Sequence, residues 1–170
     1  MMNLLIVNPT SNKLLDDKIY DRAIYSAKIT ARNSEDHTNI SVINIAGAPK
    51  VFATAEDAAN LPELILEALK PIADVYDGIV IAHSSDVGVD FLKNALDKTF
   101  IGTGFSGIYT ALPLGKKIGI LVNEKETAII QEMVDKYKKS FSFDAKLFPV
   151  DVNTDNEAVI LSNIKHQLED

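Results

Sequence analysis

At 170 residues, 46% apolar and 24% charged, the chain has the size and composition of an ordinary globular protein able to bury its own core. Its formal net charge of −7, from 24 acidic and 17 basic residues, disfavours nucleic acid as a partner, since phosphate binding needs concentrated Lys and Arg. There is no cysteine, which excludes disulfides, thiolate metal ligands and a cysteine nucleophile, and three histidines (His37, His83, His166) are too few to suggest a metal site, so neither metal nor cofactor is expected.

The apolar run at residues 3–7 predicts a first strand. It lacks a basic flank, and no run reaches the roughly 20 apolar residues of a membrane span, so a cytoplasmic protein with no membrane partner is expected. Residues 16–31 follow as a helix, with Ile19, Ala23, Ala27 and Thr30 spaced to bury one face. Ile40, Val42, Ile43 and Ile45 mark a second strand. Thr54 and Asp57 resemble a capping box opening the next helix, whose buried stripe runs Leu61, Leu64, Ile65, Ala68, Leu69 and Ile72; Pro62 fits a first turn, and Pro71 ends or kinks the segment.

A third strand, at 78–82, is apolar without alternation, as in a parallel sheet covered on both faces. A short helix at 87–96, a strand at 100–103 and a helix within 103–114 come next. The remainder reads as a strand at 117–122, a helix at 124–139 burying Ala128, Ile129, Met133, Val134 and Tyr137, a strand at 146–150 and a helix at 156–168 presenting Val159 or Ile160, Ile164 and Leu168. Lys138 and Lys139 lie on a helix that also carries Glu132 and Asp135, a solvated face. The alternation of strands and helices predicts an α/β fold on a mostly parallel sheet flanked by helices. A compositional seam at Leu114-Gly115-Lys116-Lys117 divides an N-terminal domain, 1–113, from a partial second unit, 114–170.

Ligands of such sheets gather beyond the carboxyl ends of the strands. The loops expected there are 8–12, 46–50, 83–88 and 102–107. The first and third are dense in hydroxyl and amide groups able to hold a small carboxylate or phosphate, although Ser, Thr, Asn and Asp also serve as caps and turn formers. His83, directly after an apolar strand, is the candidate proton carrier, against the plainer reading of a histidine bonded within its loop. His37 and His166 read as solvated. No phosphate-binding GxxxxGK[ST] occurs, and Gly102-Thr103-Gly104-Phe105-Ser106-Gly107 follows the fourth strand with no acid placed to complete a dinucleotide site.

Four segments resemble the aspartate/glutamate/hydantoin racemase superfamily, above all its hydantoin racemase branch. Leu5-Ile6-Val7-Asn8-Pro9-Thr10-Ser11 is similar to that branch's INPNTS opening, and Gly47-Ala48-Pro49-Lys50-Val51 to its Gly-Pro segment. The stretch from Asp77 through His83-Ser84-Ser85-Asp86-Val87-Gly88 resembles its DAIVIACFSDPG, and Ile101-Gly102-Thr103-Gly104 with 114–121 its passage into a second domain. The resemblance implies two pseudo-symmetric α/β domains, no cofactor and two catalytic cysteines on opposite faces of the substrate's Cα. It places His83 at the first cysteine position as the catalytic group. Asn8, Thr10, Ser11, Ser84, Ser85 and Thr103 fall where the family holds the substrate's carboxylate and polar groups.

Histidine replaces the first cysteine, Val87 stands for proline, and the sequence ends at Asp170, before the strand expected to carry the second cysteine. Similarity alone would name the chain an amino-acid or hydantoin racemase, an isomerase. The departures instead predict a degenerate member, a pseudoenzyme keeping a site for a small carboxylate or hydantoin-like ligand without two-base racemisation. The alternatives are a cofactor-independent racemase, isomerase or decarboxylase using His83 as its base, and a structural or protein-interaction role. The short second unit predicts self-association into a homo-oligomer.

Overall fold

The structure, a computed structural model, describes residues 2–31, 37–51, 54–151 and 156–169. Six strands form two parallel sheets. β1 (Met2–Asn8), β2 (Thr38–Asn44), β3 (Gly78–Ile81) and β4 (Phe100–Gly102) lie in the order β2-β1-β3-β4. β5 (Lys117–Asn123) pairs with β6 (Asp144–Val150) in the second sheet. The helices are α1 (Leu14–Thr30), α2 (Ala55–Ala58), α3 (Leu61–Leu69), α4 (Val89–Ala95), α5 (Thr103–Ala111), α6 (Thr127–Lys138) and α7 (Glu157–Glu169). Two compact units result: Met1–Phe52 with Glu56–Gly104, which holds the four-stranded sheet, and Ala53–Ala55 with Phe105–Asp170, which holds the two-stranded one. The expected α/β fold with parallel sheets and flanking helices is present.

The helix expected to run on from Thr54 is two helices. α2 opens after Thr54 and stops at Ala58, and α3 restarts at Leu61 with Pro62 in its first turn. Proline is accepted there because the first N–H groups of a helix have no intrahelical partner, whereas inside a continuous helix it would remove a bond. α3 ends at Leu69, ahead of Pro71, and buries Leu61, Ile65 and Leu69.

In the first sheet, the chain passes from β1 to β2 in one direction and from β2 across to β3 and β4 in the other. Right-handed crossovers therefore place α1 on one face and α3 and α4, which touch, on the opposite face. The register shows the consequence. The row Leu5, Ile79, Phe100 is no more than 1% exposed, while the next row, Ile6, Val80, Ile101, opens from 9% at Ile6 to 43% at Ile101.

α1 packs on β1 and β2 and buries no residue. This corrects the expected stripe: Ile19, Ala23 and Ala27 are half-buried and Thr30 is exposed, its hydroxyl bonded back to the Ser26 carbonyl (2.8 Å). Apolar spacing selected the inward face, but a lone helix over an edge strand has no neighbour to close its flanks.

In the second unit, α6 buries Ile129, Ile130, Met133, Val134 and Tyr137, and Ala128, expected among them, is exposed. Of the last helix's expected apolar positions, Ile160 and Ile164 are half-buried and Val159 is exposed; the side chain of Leu168 lies outside the described residues. The Phe148 ring lies across Gly119, where a Cβ would sit 3.1 Å from Cε2, so the glycine makes room for an aromatic cover of the sheet. Phe105 packs against Tyr109, Tyr137 and Phe141 at centroid distances of 5.6, 5.3 and 6.1 Å.

The two rows differ enough to be tested. Phe100→Ala is expected to destabilise the fold by about 3–5 kcal/mol, the usual loss for a fully buried aromatic. Ile101→Ala, one residue on, should lose no more than about 1 kcal/mol because much of that side chain is already in water. Denaturant unfolding of both variants checks the pair, and equal losses would contradict the one-helix face.

Candidate functional site

β1 has β2 on one side and β3 on the other, so the strand order reverses between β1 and β3. Beyond the carboxyl ends of these two strands is the crevice where open parallel sheets receive ligands. The loops arriving there are the one after β1, with Asn8, Thr10 and Ser11, and the one after β3, with His83, Ser84, Ser85 and Asp86. Thr103 follows β4, the next strand along.

The first loop is held from within. Asn8 is 1% exposed, and its amide makes all four bonds open to it. Oδ1 accepts from Thr10 N (3.1 Å) and Thr10 Oγ1 (2.8 Å), while Nδ2 donates to the Asn12 carbonyl (3.1 Å) and to Asp16 Oδ1 (2.8 Å). Asp16 also accepts from Asn44 Nδ2 (2.6 Å), tying the start of α1 to the ends of β1 and β2. Thr10 is buried, and its hydroxyl accepts from Asn12 N (3.2 Å). Backbone bonds from Ile45 N to the Thr10 carbonyl and from Ser11 N to the Pro49 carbonyl (both 3.1 Å) join this loop to the one after β2. In this arrangement Asn8 and Thr10 shape the loop.

After β3, His83 is half-buried, and its Nδ1 accepts from the Ser85 backbone N–H (3.2 Å) with Ser85 Oγ 3.0 Å away. Asp86 is 4% exposed and adopts a φ of 54°, in the left-handed region uncommon for residues other than glycine. Its N–H donates to the His83 carbonyl (3.1 Å), closing the turn, and its Oδ1 accepts from Gly104 N (2.8 Å) at the start of α5. The carboxyl group rests on Gly102, where any Cβ would collide with it. Asp86 thus clamps the β3 loop to the β4–α5 turn. Sequence reasoning passed over it as a site residue, and the available signal was Gly102, sixteen positions away.

Ser11 and Ser85 are half-buried, and Ser84 and Thr103 are exposed. Among the described residues, no hydrogen bond takes up the hydroxyls of Ser11, Ser84 or Thr103. They and the half-buried His83 ring lie on the loops at this edge. Beside the β2 loop a cavity of about 340 Å³, the size of a small-molecule pocket, is lined by Gly47, Ala48, Pro49, Asp57, Asn60, Leu61 and Leu64. Asp57 reads in the sequence only as part of a capping box, and Asn60 is not singled out there. His37 precedes β2, at the opposite edge of the sheet, and His166 is exposed on α7. Among the described residues no three His, Asp or Glu side chains group as metal ligands, and no helix is long and apolar enough to cross a membrane.

The clamp predicts opposite outcomes at two glycines. Gly102→Ala should destabilise the protein by about 1–3 kcal/mol by displacing the buried carboxylate from its hydrogen bond. Gly107→Ala, within α5 where a Cβ meets nothing within 4 Å, should stabilise it by about 0.5–1 kcal/mol. Thermal unfolding measures both, and a Gly102→Ala protein as stable as the parent would remove the clamp.

The architecture recurs in solved structures. The allantoin racemase from Klebsiella pneumoniae superposes with a TM-score of 0.79 at 17% identity, over 99% of this chain and 68% of its own length. An allantoin racemase from Pseudomonas fluorescens gives 0.71 at 13% identity, over 86% of this chain and 60% of its own. At these identities the likeness is one of fold, and the chain spans about two thirds of the length of either protein. No curated protein is significantly similar. The family model for Asp/Glu/hydantoin racemases matches residues 4–159, nearly the whole chain. This protein therefore belongs to the Asp/Glu/hydantoin racemase family, and it does so without a cysteine.

Proposed function

We propose that the chain keeps a site for a small carboxylate or hydantoin-like ligand at the β1/β3 crevice and does not carry out two-base racemisation. The observation that carries this reading is the absence of any thiol from a racemase-family chain; the motif resemblance implies His83 at the first cysteine position. Inverting a carbon centre needs a base on one face and an acid on the other, each placed to within about 1 Å, since such a misplacement can cost 10²-fold. An imidazole puts its nitrogens elsewhere than a thiolate sulfur, and the 170 residues contain no cysteine to act on either face. Binding needs less: hydroxyls at positions 11, 84 and 103, on loops at the same end of the sheet as His83, can supply donors for a small anion or a ring carbonyl. The allantoin racemases of similar fold add hydantoin-like compounds to the ligands worth trying.

Incubation in D2O with L-aspartate, L-glutamate or a 5-substituted hydantoin, following deuterium at Cα and optical rotation together, tests the chemistry. No loss of rotation above the enzyme-free rate is expected. A loss abolished by His83→Ala would overturn the reading. Calorimetric titration with small carboxylates and hydantoins tests the site, which heat from none of them would remove.

We also infer that the protein self-associates. Among the described residues β5 and β6 pair only with each other, leaving an outer edge on each, and Leu121 is 49% exposed on their sheet. In the first unit, Ile101 lies on the half-covered face. Open strand edges and apolar faces are commonly closed by a second copy. Sedimentation at micromolar concentrations should show a dimer or larger species, and a strictly monomeric profile would refute it.

A further inference from the structure

Resting on the ligand site proposed above, we infer that Ser85 is a positioning residue: it holds the neutral His83 ring with the hydrogen on Nε2, making position 83 a hydrogen-bond donor at the place where the family has a base. A neutral imidazole carries one N–H and one lone pair, and the bond made at one nitrogen decides which is which. A backbone N–H can only donate. The Ser85 amide, 3.2 Å from Nδ1 and directed at it, therefore assigns the lone pair to Nδ1 and the hydrogen to Nε2. The Ser85 hydroxyl, 3.0 Å from the same nitrogen, can turn its hydrogen either way and then donates as well.

The opposite tautomer would set two N–H groups against each other across 3.2 Å and forfeit the amide bond. Proton abstraction through Nε2 requires that tautomer. The turn opposes it, because the Asp86 N–H bond to the His83 carbonyl and the clamp of Asp86 on Gly104 N hold the residues around Ser85. The ligand groups that suit a donor here bear lone pairs, a carboxylate or a ring carbonyl. A Cα–H awaiting a base does not suit it.

Long-range ¹H–¹⁵N correlation of the imidazoles in the ligand-free, ¹⁵N-labelled full chain reads the tautomer directly, at a pH where the rings are neutral. His83→Gln assigns the signals, and exposed His37 serves as the internal reference for a ring exchanging between tautomers. His83 is expected in the Nε2–H form alone. Ser85→Ala, which keeps the amide donor, should keep the Nε2–H form, whereas Ser85→Pro, which removes the amide N–H, should raise the Nδ1–H share about fivefold, the effect of one neutral hydrogen bond. A general loss of structure would move all three histidines together, so His37 and His166 guard against that reading. A parent His83 that matches His37, or that carries its hydrogen on Nδ1, would overturn the inference, as would a folded Ser85→Pro protein with a pattern identical to the parent's. Because the measurement needs no ligand, its failure is separable from failure of the carboxylate and hydantoin titrations.

Discussion

Parallel pairing of β1 with neighbours on both sides sets what the first unit can do. A central strand flanked by β2 and β3 must have its crossovers leave in opposite directions, so the loops after β1 and β3 part above the sheet. The buried row Leu5, Ile79, Phe100 anchors this arrangement, and its 0–1% exposure makes slippage by one residue prohibitive, since that would turn the row toward the half-open face. Everything polar at the crevice hangs from these strands. Asn8 is the last residue of β1 and His83 the second after β3, so the register that fills the core also sets where their loops begin.

Much of that was readable from residue order. A run such as Gly78-Ile79-Val80-Ile81, apolar on both sides, identifies a strand inside a parallel sheet, and the opening around Asn8 and the stretch around His83 pointed to the family before any coordinates. What a residue is committed to was less readable. Asn8 and Thr10 sit where ligand groups are expected, yet each could be a ligand donor or a loop brace with the same letters around it. The four bonds of the Asn8 amide make it a brace in this arrangement, and such bonds depend on Asp16 arriving from α1. Asp86 escaped for the same reason, its partners being Gly102 and Gly104 on another strand's turn. The half-exposed α1 marks a different limit: apolar spacing tells which side of a helix turns inward, not whether the layer beneath is wide enough to bury it.

Buried polar groups fix the loops on either side of position 83. A buried donor or acceptor left without a partner costs about 1–3 kcal/mol, so the first loop is constrained by Asn8 and Thr10 and the second by Asp86. Position 83 lies between those braces and is only half-buried. Its carbonyl accepts from Asp86 N–H and its ring nitrogen from Ser85 N–H, so the residue is tied into the turn between those braces.

A racemase site must offer a lone pair to a C–H bond, which requires a nitrogen or sulfur left unoccupied until the substrate arrives. In this chain the local turn occupies the Nδ1 lone pair with the Ser85 amide. A histidine so held is most useful to groups that accept hydrogen bonds, and the hydroxyls of Ser11, Ser84 and Thr103 can donate to the same groups. Donors converging on one edge recognise a carboxylate or ureide carbonyl in its ground state as readily as at any point along a reaction. Interactions of that uniform kind tighten binding without lowering a barrier.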